Sequence, residues 1–197
     1  MHARIASLSV LSASVIVLAG CAAVPASVEG TGATSTPSAS SSKSLDAEPA
    51  TGETFSGTGY SFAAPEGWTE TAPPAGTTAP DVFVASSDAS DGFADNVNVL
   101  IQEGVVTPDI VESTGVEQLS EIWKTDVEIG DRVEIAGEEV AHLAADMDLN
   151  GIAYVIDQYY LVDGEKSYIV TFSSDADATS AERTALAESV LSTWAWE

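Results

Sequence analysis

The stretch that most constrains the fold is "IAYVIDQYYLVDGEKSYIVTFSSD", residues 152–175. β-Branched and aromatic residues crowd both sides of Asp163-Gly164, a dipeptide suited to a type I′ turn because both of its central positions need positive φ. Two paired strands are predicted. Just upstream, "RVEIAGEEVAHLAADMD" (132–148) alternates polar and apolar residues on either side of Gly137, again as strands do. The two blocks meet at "DMDLNG", residues 146–151. Asp146, Asp148 and Asn150 supply the first, third and fifth positions of a calcium-binding loop, with Gly151 at the sixth. The twelfth position is Asp157, one methylene short of the bidentate glutamate such loops use. Those loops also join helices, whereas strand patterns flank this one, and Asn150-Gly151 is itself a preferred hairpin pair. The expectation is a four-strand meander turning at 150–151, with a weak cation site on Asp146, Asp148 and Asn150 as the alternative.

Shorter strands precede the meander. "YSFAAPEGW" (60–68) alternates before Pro65 and Gly67 interrupt it, "DVFVASS" (81–87) alternates weakly, and "NVNVLIQEG" (96–104) places Val97, Val99 and Ile101 on one face. Thr114 and Glu117 have capping-box spacing. Val116, Leu119, Ile122 and Trp123 then recur at helical spacing, which predicts a helix over about 115–126. Thr179 and Glu182 repeat that spacing before a closing helix with Leu186, Val190 and Trp194 on its apolar stripe. Strands, a helix, a meander and a closing helix make an α+β sandwich on an antiparallel sheet.

The amino terminus predicts location. "MHARIASLSVLSASVIVLAGC" has Arg4, then an apolar run from Ile5 to Leu18, shorter than the roughly 20 residues a transmembrane helix needs and fitting a signal peptide. It ends on Leu18-Ala19-Gly20-Cys21. That ending resembles a bacterial lipobox, which implies cleavage after Gly20 and acylation of Cys21. Two or three acyl chains would hold the protein to a membrane without a spanning segment. Cys21 is the single cysteine, so no internal disulfide can form. Residues 21–58, rich in Ser, Thr, Ala, Gly and Pro, bury too little apolar surface to order themselves. They read as a stalk reaching on the order of 30–40 Å. The domain organisation is thus a signal peptide over 1–20, a lipidated stalk over 21–58 and one folded domain over 59–197. The formal charge of −25 repels phosphate backbones, so nucleic acid is not expected as a partner.

Phe62-Ala-Ala-Pro65-Glu-Gly67-Trp68 resembles the F-x-x-P-x-G-W opening of PsbP-like domains, and "NVNVLIQEG" resembles the strand that follows it. The helix, the Gly-turn hairpin ending in "SYIVTFSS" and the last helix match the remainder over about 55–197. With the lipobox, the chain is most similar to the LpqN/LpqT-type lipoproteins of actinobacteria. The resemblance implies an α-β-α sandwich on a central antiparallel sheet. It also implies a non-catalytic role as a binding or adaptor protein in the cell envelope, for lipids or membrane protein complexes. No catalytic residue carries over, because the matched positions are structural.

The inventory of reactive residues agrees with that. After processing, His142 is the remaining histidine, and on an alternating strand it reads as a satisfied core residue rather than a base beside a nucleophile. No G-x-S-x-G elbow, glycine-rich phosphate loop or dinucleotide fingerprint occurs. Ser40-Ser41-Ser42-Lys43 matches S-x-x-K by chance within the stalk. Carboxylate pairs such as Glu138-Glu139, Asp146/Asp148 and Asp175/Asp177 arise readily among 31 acids. No enzyme, cofactor or metal is expected. The alternatives are an envelope hydrolase working through two carboxylates, which requires one of them to have a raised pKa, and a structural cation-binding surface protein. Trp68, Trp123 and Trp194 are expected in the core and Trp196 at the surface.

Overall fold

The computed structural model describes residues 42–73, 78–89, 93–149 and 151–197. Cys21 and the signal region lie outside the described residues. The meander forms as expected: β8 (Glu138–Leu149), β9 (Ile152–Asp163) and β10 (Lys166–Asp175) pair antiparallel in sequence order. Leu149 pairs with Ile152, and Gly151 sits at φ 84, the left-handed region in which glycine carries no Cβ penalty. "DMDLNG" is therefore a hairpin, although Asn150 itself is outside the described residues. The second turn is displaced by one residue from expectation. Asp163 pairs with Lys166, so Gly164 and Glu165 occupy the loop and Asp163 ends the strand. The upstream hairpin turns on Ala136 and Gly137, both at positive φ, between β7 (Val133–Ile135) and β8.

Three earlier strands, β2 (Tyr60–Ala63), β4 (Val82–Ser86) and β5 (Asn96–Glu103), lie where alternation predicted them, and a further short strand, β3 (Trp68–Glu70), follows the Pro65–Gly67 break. β3, β4 and β5 join β6 (Val127–Ile129) and the meander in an eight-stranded antiparallel sheet in the order β3-β4-β5-β10-β9-β8-β6, β7 pairing with β8 beside that path. β1 (Thr54–Ser56), β2 and β11 (Ala195–Trp196) form a second, three-stranded sheet.

Strict alternation sends each strand's residues to two faces, and each face has its own cover. One face presents Val97, Val99, Tyr159, Leu161, Val170 and Phe172, all buried. It packs on the small sheet and on α3 (Ser180–Leu191), whose Ala187, Val190 and Leu191 join the same cluster. Trp194 stacks on Tyr60 with ring centres 4.5 Å apart. Trp196 is half-buried against Tyr168 and Trp194 rather than exposed. The opposite face presents Leu100, Ile169, Tyr160 and Leu143 to a helical segment carrying Val111 and Leu119. Helices on both faces make the α-β-α sandwich.

That segment starts earlier than periodicity indicated. Pro108–Ile110 (α1) opens it, a π-helical turn follows at Val111–Gly115, and α2 spans Val116–Trp123. Pro108 sits at the first helical position, where its missing N–H costs nothing. Thr114 and Glu117 consequently lie inside a running helix, and no capping box forms there. The second box does form: the Glu182 N–H donates to Thr179 Oγ1 at 3.3 Å, and the Thr179 N–H donates to Glu182 Oε2 at 2.9 Å. Thr179→Ala should destabilise the domain by about 1 kcal/mol, read as a lower denaturant midpoint at unchanged slope.

The expected stalk overlaps the folded domain. From residue 42 onward the chain lies on the domain, with Phe55 buried in the main core and Leu45 and Ala50 packed against it. Lys43 bridges to Val133 through two backbone hydrogen bonds: its N–H donates to Arg132 O, and its O accepts from Glu134 N–H. Polar composition concealed this because a few apolar side chains are joined by backbone hydrogen bonds from Lys43, Ala50 and Gly52 that leave no pattern in the sequence.

Candidate functional site

Cross-strand register creates the most chemically distinctive place in the molecule. Ala144 on β8 stands between Glu128 on β6 and Asp157 on β9. Adjacent strands are about 4.8 Å apart, so a methyl in the middle of this row leaves a hollow beside Glu128. The hollow is a cavity of about 240 Å³ lined by Thr125, Asp126, Glu128, Ala144, Asp146 and Arg183, among others. Arg183 reaches it from the first half of α3.

Behind the cavity lies a buried charged group of three. Asp157 is 4% exposed. Its Oδ1 is 2.8 Å from His142 Nε2, and its Oδ2 accepts from Arg183 Nε at 3.0 Å. Burial alone would push this carboxyl up, but the hydrogen bonds and charges of His142 and Arg183 hold it below the usual range. Asp157 is thus an anion, and His142 donates from Nε2. The His142 ring stacks on Tyr159 at 4.4 Å. Its other nitrogen faces Gly130, where an added Cβ would stand 2.1 Å from Nδ1. A nucleophile has no room on that side, so the histidine that looked structural in sequence is boxed in by Gly130, Tyr159 and Asp157.

The carboxylate pairs singled out earlier do different work. Asp148 accepts the Gly151 N–H at 3.1 Å and Asp175 accepts the Asp177 N–H at 2.7 Å, both as turn supports. Glu139 accepts from Arg132. Among the described residues, no three His, Cys, Asp or Glu side chains converge as a metal site. Among the described residues three carboxyls have clearly displaced pKa values, Asp157, Glu182 and Glu188, and all three are displaced downward. A general acid needs the opposite displacement.

Two features were missed in sequence. Arg132 donates to Asp109, Glu112 and Glu139, each at 2.6 Å, and so ties α1 and the π turn to β8. Glu188, 4% exposed on α3, accepts from Lys43 Nζ and from the Asp46 N–H, both at 3.0 Å. It borders an open groove between residues 43–47 and α3. A lone basic residue inside a polar stretch was the only available sign of the second. The group at Asp157 was legible in principle: a two-residue hairpin loop at 150–151 sets Ala144 opposite Asp157 and His142 opposite Tyr159.

No protein-family model matches the chain, and no curated protein does. Solved structures do. A protein from Bacteroides thetaiotaomicron is 16% identical with a TM-score of 0.43; the match covers 70% of this chain but only 45% of that one, so the chain spans less than half its length. LpqN of Mycobacterium tuberculosis, a protein involved in cell envelope biogenesis, is 13% identical over 70% of this chain and 83% of its own, with a TM-score of 0.47. Cyanobacterial PsbP (CyanoP) from Synechocystis is 15% identical over 74% of this chain and 92% of its own, with a TM-score of 0.50. Such distant identity speaks to architecture alone, and the architecture is an α+β sandwich with a PsbP-like fold.

Proposed function

We propose that the protein is a lipid-anchored extracytoplasmic lipoprotein, held through Cys21, that serves as a non-catalytic binding or adaptor protein in a bacterial cell envelope. The observation carrying this reading is the state of Asp157. Both of its oxygens are committed to His142 and Arg183, so the one histidine–carboxylate pair of the domain is spent on holding the sheet to α3. The anchor rests on the Leu18-Ala19-Gly20-Cys21 ending. No helix among the described residues is long and apolar enough to cross a membrane. Two cavities bounded by described residues are lined mainly by charged, hydroxyl and small side chains, which suits a polar ligand or a protein partner.

Separating cells into membrane and soluble fractions tests the anchor. The wild-type chain should sediment with membranes and incorporate labelled palmitate, and Cys21→Ser should lose both. A Cys21→Ser chain that stays in the membrane fraction would overturn the lipid anchor. Crosslinking at the membrane surface then tests the adaptor role: recovery of the chain with nothing attached would count against it.

A further inference from the structure

We infer that the cavity floored by Ala144 binds a small zwitterion, a molecule carrying one ammonium and one carboxylate or phosphate. The inference deepens the binding role proposed above and does not depend on the lipid anchor.

The cavity brings opposite charges to one hollow. On one wall stands Arg183, whose side chain is 15% exposed. A guanidinium carries five N–H donors. Here one goes from Nε to Asp157 Oδ2 at 3.0 Å and one from Nη1 to Ala178 O at 3.1 Å, which leaves three. Asp157 and Ala178 hold the group in place from behind, so it meets a ligand pre-organised rather than as a loose surface arginine. On the other walls are Asp126, Glu128 and Asp146. Glu128 and Asp146 sit on the same sheet face as Ala144, one across the strand pair and the other two residues along.

This mixture of charges selects the ligand. A bare anion would meet Arg183 but also the three carboxylates and the field of a −25 chain. A bare cation would meet the carboxylates and leave the remaining arginine donors without acceptors. A single metal ion is not served either, because the acids do not converge. A solute with both charges, separated by two to four bonds, satisfies both walls while adding no net charge. The space, about 240 Å³, holds several waters or one such solute. The same chemistry occurs in free amino acids and in the ethanolamine headgroup of a phospholipid, and the test separates those sources.

Amide spectra of the full chain report binding through the resonances of residues 125–128 and 144–146. The probes are β-alanine, glycerophosphoethanolamine (a net-neutral phosphodiester), ethanolamine alone and inorganic phosphate alone. At least one zwitterion should bind saturably and about tenfold or more tighter than either half-molecule. Vesicles of phosphatidylcholine with and without phosphatidylethanolamine distinguish the source. Shifts only with ethanolamine lipid assign a headgroup, and shifts only with the soluble probes assign a free solute.

Ala144→Leu should fill the hollow and abolish the response while the remaining spectrum and the melting temperature stay those of a folded protein. Glu128→Gln, at an exposed position, gives a second variant that leaves the core intact and should weaken binding about tenfold. Equal responses to zwitterion, ethanolamine and phosphate would overturn the inference. So would undiminished binding by a folded Ala144→Leu protein. Failure here with Cys21-dependent anchoring intact leaves the envelope role standing, whereas loss of anchoring with binding intact does the reverse.

Discussion

Asp157→Ala should lower stability by about 3–5 kcal/mol, the cost of removing one partner from a buried charged group. For a domain of this size that corresponds to a fall in melting temperature on the order of 10 °C. The size follows from what is left behind. Asp157 is 4% exposed. The side chains of His142 and Arg183 that face it are each only 15% exposed. Removing the carboxylate strands a guanidinium and an imidazole N–H in a place with little water. The effect should also be non-additive. Replacing all three side chains with apolar ones of similar size should cost less than Asp157→Ala alone, because no uncompensated charge remains.

The same group predicts an acid limb. The Asp157 pKa is depressed in the folded state, so the folded protein takes up this proton less readily than the unfolded chain does. Its stabilisation is complete above the unfolded value, about 3.9, and is lost as pH falls through the depressed folded value. Denaturant midpoints of the wild type and of Asp157→Asn should therefore converge as pH drops below about 4. A gap between them that is constant from neutral pH to pH 2 would show that the carboxylate charge is not what holds the group together.

How much of this was legible in the sequence depends on the range over which each signal acts. Alternation and turn chemistry act over a few residues, and they located β2, β4, β5 and the meander from 133 to 175. Asn150-Gly151 even set a register from which the neighbours of Asp157 follow. The misplaced elements are those where two local signals compete. At Thr114-x-x-Glu117 the capping pattern is present but Thr107-Pro108 starts the helix earlier, so Thr114 falls inside the π turn and Glu117 inside α2. At Asp163-Gly164 the pairing of Lys166 with Asp163 draws the aspartate into the strand and moves the turn on by one. Contacts between remote residues left no local trace. Arg183 meets Asp157 across 26 positions, and Lys43 meets Glu188 across 145. The cavity itself is set by the small size of Ala144, which has meaning only once Glu128 and Asp157 are known to flank it.

The contact across 145 positions carries the second large effect. Glu188 is buried on α3, and both of its oxygens are used by a segment that lies within the expected stalk: Lys43 Nζ on Oε1 and the Asp46 N–H on Oε2. Hydrogen bonds to a charged group are worth about 1.5–3 kcal/mol, so Glu188→Ala should cost about 2 kcal/mol and loosen residues 43–50 in particular. Lys43→Met should cost less, near the 0–1 kcal/mol of a surface ion pair, since the lysine side chain is 46% exposed and leaves no buried charge of its own. Burial alone would raise the Glu188 carboxyl, but the Asp46 amide and Lys43 hold it below its ordinary value. The clasp is therefore complete above the unfolded glutamate pKa of about 4.3 and is lost as pH falls through the lower folded value. Limited proteolysis at neutral pH should cut Glu188→Ala between residues 43 and 52 well before the rest of the domain, and amide exchange at Glu134, whose N–H donates to Lys43 O, should accelerate with it. Equal cleavage of wild type and variant would mean that Glu188 does not hold the segment.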